Sequence, residues 1–428
     1  MGELETLTPL LPDDILVEIL LWLPVKSLGR SSLVSKCWNS LIQSRRFVEN
    51  HLRRGFDIEE RKRLLYSPSP PASAFSIKCG DLSKSLECVS DANVAWLTQP
   101  AWPDWPSLFD WSRRPPNSFI GFAGCCNGLL CFPMWTNWSR NELQGYLWNP
   151  ATGALGWVSE ENVAAVDVWD DETRPGPEDC PVSFRYGFGY DSVADDYKIT
   201  RLMEYYVDSD EDTSLTRMEV LSVGSNTLRR FEVRARGEFL SDNVVFVNGS
   251  LHWLLNRQLP SQAAVEYFVL RFNLETEKMD EVAIQFPEAA DSGGPLISGA
   301  WSLRVLDGRL HVMVEYQKRL LEEITESEMW VLEECGVETS YSWTKKLSLP
   351  YDLAETVGYN PLYVSRDGGV LVEGCLGDLA MCDLEKQTSE KIFFPDSWIL
   401  SRFQSKLVYV ESLISPFHIP NPNWRFEG

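Results

Sequence analysis

The 428-residue chain has no apolar run of the roughly 18 residues that a membrane-crossing helix needs. The best candidate, Ile15 to Leu23, is interrupted by Glu18 and closed by Pro24. The N-terminal text MGELETLTPL lacks the basic and apolar regions of a secretory signal. Met1-Gly2 with Thr6 fits an acylation pattern, but no polybasic stretch follows, and one acyl chain holds a membrane only marginally. Histidine is scarce at four, and the ten cysteines include no C-x-x-C, which removes any visible scaffold for zinc. Without a secretory signal the cysteines read as small buried hydrophobes of a reducing compartment. Positive charge is short as well. With 39 basic against 62 acidic residues the net charge is −23, which argues against nucleic acid or anionic membrane as the main partner. The expected location is the cytoplasm, the nucleus or both.

Catalytic text is equally thin. There is no G-x-S-x-G elbow, and Gly121, Gly124 and Gly128 do not make a G-x-G-x-x-G loop. His252 and His311 each follow a leucine in a strand-like run and read as structural. The run Asp208-Ser209-Asp210-Glu211-Asp212 lacks the glycine and distal glutamate of a calcium loop. No catalytic residue, metal or cofactor is expected, and the chain is read as a non-enzyme.

What is present begins with a hydrophobic fraction of 44%, enough for one small domain and one large core. In the first fifty residues, Ile15, Leu16, Ile19, Leu20 and Leu23 recur with helical spacing. Pro12 suits the first turn, Asp13 and Asp14 complement its positive end, and Pro24 stops the helix. A short second segment surrounds Leu28 to Val34. Ser35 is a plausible N-cap for a third helix presenting Trp38, Leu41 and Ile42, with Phe47, Val48 and Leu52 on a further turn. Three short helices cannot bury all these apolar positions among themselves. The surplus packs on the larger domain or forms a helix-in-groove partner surface.

Leu11-Pro12, Leu16, Ile19, Leu23-Pro24, Leu28 and Val34-Ser35-Lys36 with Trp38 resemble an F-box of the form common in plants. The resemblance implies docking on a Skp-type adaptor within a Skp–cullin–F-box (SCF) ubiquitin ligase, with cullin and RING subunits reached indirectly. By the same resemblance the adaptor-binding set is Leu11, Pro12, Ile15, Leu16, Ile19, Leu20, Leu23, Pro24, Leu28, Val34 and Trp38.

Beyond Ser67-Pro68-Ser69-Pro70-Pro71 the texture changes to short β-type runs. A turn pair precedes an apolar strand at Asn127-Gly128, Asp196-Tyr197, Asn248-Gly249, Asp307-Gly308 and Gly368-Gly369. Each is followed by a strand–turn–strand segment: YLWNPATGALGWV, MEVLSVGSNTLRRF, VLRFNLETEKMDEV, MWVLEECGVETSYSW and LAMCDLEKQTSEKI. Two landmarks keeping one order through five units make an internal repeat, which suggests propeller blades. Lys406 to Leu413 resembles a first strand without its hairpin, and Phe75 to Val89 a hairpin without its first strand. Joined, they predict a sixth blade closed from both ends, with a β-sandwich as the competing fold. Gly124-Cys125-Cys126-Asn127-Gly128-Leu129-Leu130, Trp148-Asn149-Pro150-Ala151-Thr152, Gly187-Phe188-Gly189-Tyr190-Asp191 with Asp195-Asp196-Tyr197-Lys198, and Val247-Asn248-Gly249 with His252-Trp253 resemble the kelch-like F-box-associated domain of plant F-box proteins.

The expected organisation is an F-box over 9–55, a linker over 56–74, a six-bladed β-propeller-like domain over 75–415 and a tail over 416–428. Arg61-Lys62-Arg63 reads as solvated linker or a short nuclear signal. The expected function is that of an SCF substrate receptor working by proximity, the alternative being a propeller scaffold with no ubiquitin role. Candidate substrate-binding residues are Trp102, Trp105 and Trp111 in a proline-punctuated aromatic loop, and Asp208, Asp210 and Asp212. The loop reads either as an interface or as a local minor core. The acidic stretches, Val158 to Asp212 and Glu315 to Glu338, either serve solubility or steer a basic protein target.

Overall fold

In the computed structural model the described residues are 12–66, the short stretches 78–81 and 94–96, and, with interruptions, 119–416. Four helices open the chain: α1 (Asp13–Trp22), α2 (Val25–Ser31), α3 (Lys36–Gln43) and α4 (Arg45–Gly55). Prolines 12 and 24 sit at the N-caps of α1 and α2 with extended backbone. Ser35 caps α3, its hydroxyl accepting the Trp38 N–H at 3.1 Å. The expected number of helices was three, and Ser44 accounts for the fourth. Its backbone is extended, its hydroxyl donates to the Leu41 carbonyl at 2.7 Å, and the same oxygen accepts from the Phe47 N–H at 3.4 Å. One residue thus closes α3 and caps α4. Leu20, Leu21, Leu28, Ile42 and Phe47 form the core of this helical unit, and Leu413 from the far end of the chain packs against it.

The remaining described strands make six sheets. Five are each cut from a continuous stretch. The first joins Phe119–Ile120 and Gly124–Cys126 to Leu129–Trp135, then Gln144–Trp148 and Leu155–Ser159. The second runs Ser183–Asp191, Asp196–Tyr206, Ser214–Ser222, Thr227–Val233, with Ala164–Val166 added in parallel at its edge. The third joins Glu238–Phe239 and Val245–Val247 to Ser250–Gln258, Val265–Asn273 and Lys278–Ala283. The fourth holds Ile297–Leu306, Arg309–Gln317, Ile324–Cys335 and Ser340–Pro350, and the fifth Tyr359–Val364, Gly369–Gly374, Leu379–Asp383 and Thr388–Ile392. The last two strands of each sheet are the strand–turn–strand segments read from the sequence, paired antiparallel.

The sixth sheet is composite, ordered Leu407–Val410, Lys62–Tyr66, Lys78–Asp81, Val94–Trp96. Its second strand falls where a linker was expected, because the partner that orders it is the last strand of the domain: Arg63 pairs with Tyr409 and Leu64 with Val408. The hairpin expected within Phe75 to Val89 instead pairs Lys78–Asp81 with Val94–Trp96. Apolar clusters join each sheet to the next. Leu129 meets Phe188 and Ile199. Leu202 meets Trp253, and Leu254 meets Val312. Met313 meets Val370, Leu371 meets Leu64, and Tyr409 meets Trp148. Sheets packed in a circuit make a β-propeller and exclude the sandwich. The sequence predicted six blades, the sixth joined from both ends of the domain; the propeller has five blades, each a continuous stretch, and the joined strands form a separate composite sheet.

Candidate functional site

The helical unit divides the expected adaptor-binding residues by burial. Leu20 and Leu28 are 1% and 0% exposed and belong to its core. Leu16, Leu23 and Trp38 are half-buried against that core. Pro12, Ile15, Ile19, Pro24 and Val34 face solvent, and Leu11 lies outside the described residues. Of the eight large apolar side chains exposed among the described residues, six lie on this small unit: Ile15, Ile19, Trp22, Leu33, Val34 and Phe56. Ile15, Ile19 and Trp22 are spaced i, i+4, i+7 along α1 and share one face. The Trp22 ring is fixed by the Arg54 guanidinium 4.9 Å from its centroid, and Arg54 is held in turn by Glu18 at 2.8 Å. Sequence reading missed Trp22 and Leu33. Trp22 was within reach, since it completes the spacing begun by Ile15 and Ile19.

An exposed apolar face is useful only if its base is rigid, and Arg61 supplies that base. It is 1% exposed, neither linker nor nuclear signal. Its guanidinium donates to the Leu21 and Leu23 carbonyls at the end of α1 and to the His51 carbonyl of α4 at 2.9 Å. The cation thereby satisfies carbonyls that a helix end leaves without partners. Burial lowers its pKa to about 10, so it remains charged at neutral pH. His51 Nε2 donates to the Leu23 carbonyl at 2.9 Å, and burial lowers this imidazole to about 4, leaving it neutral. Arg61 leads into the composite sheet, where the Glu411 N–H bonds its carbonyl at 2.9 Å and Arg63 pairs with Glu411 at 2.9 Å. On the other side Arg45 of α4 reaches Asp195 of the second blade at 2.5 Å.

The propeller motifs serve closure. Asn127-Gly128, Asn248-Gly249 and Asp307-Gly308 all have positive φ at both residues, which two-residue hairpins of this twist require. Buried Asn149 donates to the Ser412 and Ile414 carbonyls at 3.0 and 2.6 Å, while its oxygen accepts from the Ala151 N–H at 2.9 Å. Asp191 pairs with Lys198 at 3.0 Å, and Lys198 donates to the Leu274 carbonyl of the next blade at 2.6 Å. Part of the acidic surplus is therefore held in ion pairs: Asp191 and Glu204 inside the fold, Glu204 to Arg185 at 2.6 Å, and Asp195 at the surface with Arg45. His252 and His311 are buried, with burial lowering both pKa values. The substrate candidates Trp102, Trp105, Trp111, Asp208, Asp210 and Asp212 lie outside the described residues. Among the described residues no helix is long and apolar enough to cross a membrane.

Comparison with known proteins agrees with this division. The F-box domain matches residues 9–50, and the F-box associated beta propeller domain matches residues 115–415. "F-box protein CPR1" of Arabidopsis thaliana is 27% identical over 421 residues, covering 94% of this chain and 88% of its own length. "F-box/kelch-repeat protein At3g23880" of Arabidopsis thaliana is 26% identical over 409 residues, covering 95% and 96%. With its helical unit and more than two-thirds of its length matched, the chain belongs to the F-box proteins that carry an F-box associated β-propeller domain.

Proposed function

We propose that this chain is the substrate-recognition subunit of an SCF ubiquitin ligase, docking on a Skp-type adaptor through its F-box and holding a target protein on the propeller. An F-box joined to this propeller supports an SCF substrate-recognition role in general. The observation that carries the adaptor assignment is the exposed row Ile15, Ile19 and Trp22 on a helix whose opposite side is already buried. Each such side chain contributes roughly 1.5–3 kcal/mol when fully covered. The contact set is narrower than the sequence set: Pro12, Ile15, Ile19, Pro24 and Val34, joined by Trp22 and Leu33. The subunit performs no chemistry of its own. It raises the effective concentration of target lysines near a charged conjugating enzyme.

The proposal extends to two finer points. The target is a basic protein, in keeping with the net charge of −23, and Asp208, Asp210 and Asp212 are its contact candidates. Neutralising those three would weaken target capture at low salt and leave it unchanged at high salt. The compartment is the cytoplasm or nucleus, to be read from a fluorescently tagged chain.

The deciding experiment is co-purification of the full chain with a plant Skp-type adaptor, beside Ile19→Arg. A one-to-one complex that Ile19→Arg abolishes while keeping the wild-type melting temperature is the expected outcome. A folded wild-type chain that makes no complex would sink the proposal. Leu20→Arg is unsuitable, because a cation at a position 1% exposed would unfold the helical unit itself.

A further inference from the structure

Lys198 fills the junction between the second and third blades. From the second blade it reaches the Leu274 carbonyl at 2.6 Å and Glu277 at 2.9 Å on the third, with Asp191 beside it at 3.0 Å. Two closing bonds fix which residue takes its place one blade on. The Val223 N–H bonds the Tyr197 carbonyl at 2.8 Å, and the Leu274 N–H bonds the Gly249 carbonyl at 2.9 Å. Tyr197 therefore corresponds to Gly249, and Lys198 to Ser250. A hydroxymethyl group stands where the second blade has a long cation, and the junction of the third and fourth blades holds a cavity of about 60 Å³.

The lining of this cavity carries more positive than negative charge. Asn248, Ser250, His252 and Arg271 come from the third blade and Arg309 from the fourth. Asp280 holds Arg271 through two bonds of 2.9 and 2.7 Å, which offsets one cation. Arg309 is exposed, and among the described residues no carboxylate pairs with it. His252 is 4% exposed, and its Nδ1 has no hydrogen-bond partner among the described residues. Buried polar atoms left in that state are costly and mark places where an ion or ligand supplies the partner. The volume excludes an organic ligand, since sites for those run to about 300–1,000 Å³. It is space for roughly two waters or a single tetrahedral oxyanion.

We infer that this cavity is a binding site for one phosphate-type oxyanion, which accepts from the Arg309 guanidinium and lies against Arg271. The planar fork of a guanidinium matches two oxygens of such a group at once. Bound there, the anion joins the third blade to the fourth, as Lys198 joins the second to the third. It is either a free ion or the phosphate of a modified side chain on a protein partner.

Equilibrium dialysis of the full chain against labelled inorganic phosphate, with chloride holding the ionic strength constant, tests this. One phosphate per chain is expected. A net charge of −23 repels anions in general, so a single bound equivalent reports a local site. Arg309→Gln should weaken binding at least about tenfold and leave the melting temperature in phosphate-free buffer unchanged, because the side chain is exposed. Arg309→Lys should keep part of the affinity. The wild-type chain gives an independent reading: phosphate at ten times its dissociation constant should raise the melting temperature by about 2 °C. A peptide carrying one phosphoserine between neutral residues separates the two sources. If it displaces the labelled phosphate, the group arrives on a partner; if phosphate binds and the peptide does not compete, the site holds the free ion. Absence of phosphate uptake, or equal uptake by wild type and Arg309→Gln, overturns the inference and leaves the cavity to water.

Discussion

Arg61 illustrates how far one side chain can act. Its three carbonyl acceptors belong to α1 and α4, while its own backbone continues into the composite sheet. Arg61→Ala would leave those carbonyls without their buried donor and is expected to cost about 2–4 kcal/mol in a urea melt. Arg61→Lys keeps the charge but not the fork, and should recover only part of that loss. His51 adds a pH dependence. Burial holds it at about 4 against 6.5 for a free imidazole, and the Arg61 cation pushes the same way. His252 is held at about 4 as well. In the window from 6.5 down to 4 the unfolded chain binds more protons, so stability is complete above pH 6.5 and falls as the pH drops through that window. The melting temperature should therefore decline between pH 6.5 and 4.5. His51→Leu should flatten part of the decline, since Arg61 still serves the Leu23 carbonyl.

At the scale of elements, sequence reading succeeded where the cause is local. Asn127-Gly128 and Asn248-Gly249 announce hairpins because few residues tolerate positive φ at both positions, and Ser35 announces a helix start because its hydroxyl bonds three residues on. It failed where the cause is distant. Ser44 could be read as one more surface serine, and Lys62–Tyr66 as linker, because a pentapeptide carries no mark of a partner at Leu407–Val410. Within the candidate site, the helical period was legible, but not which of Leu20 and Ile19 faces inward; only packing against Ile42 and Phe47 decides that. Gly128 shows both kinds of cause at once. Its φ of +80° suits the turn, and a Cβ there would stand 2.8 Å from the Val410 carbonyl oxygen. Gly128→Ala should cost about 2–3 kcal/mol, measured by denaturant unfolding, and loosen the closing strand rather than the first blade alone.

Across the whole molecule, the ring depends on its last strand. A chain stopped before Leu407 would keep all five continuous blades yet expose an edge of Lys62–Tyr66 and lose the Asn149 contacts to residues 412 and 414. Such a chain is expected to lose the single cooperative transition in calorimetry and to aggregate. The same seam has a consequence in time. The ion pair of Arg63 with Glu411 spans 348 positions of sequence. At a synthesis rate of roughly 5–20 residues per second, the first half of that pair waits about 20–70 seconds for the second. During that interval the nascent chain carries an unclosed sheet out of the ribosome, with Leu64 and Leu65 lacking the neighbours that will cover them. Its supply to the cell is then set as much by holdase chaperones and by the rate at which the ribosome finishes as by the stability of the closed ring.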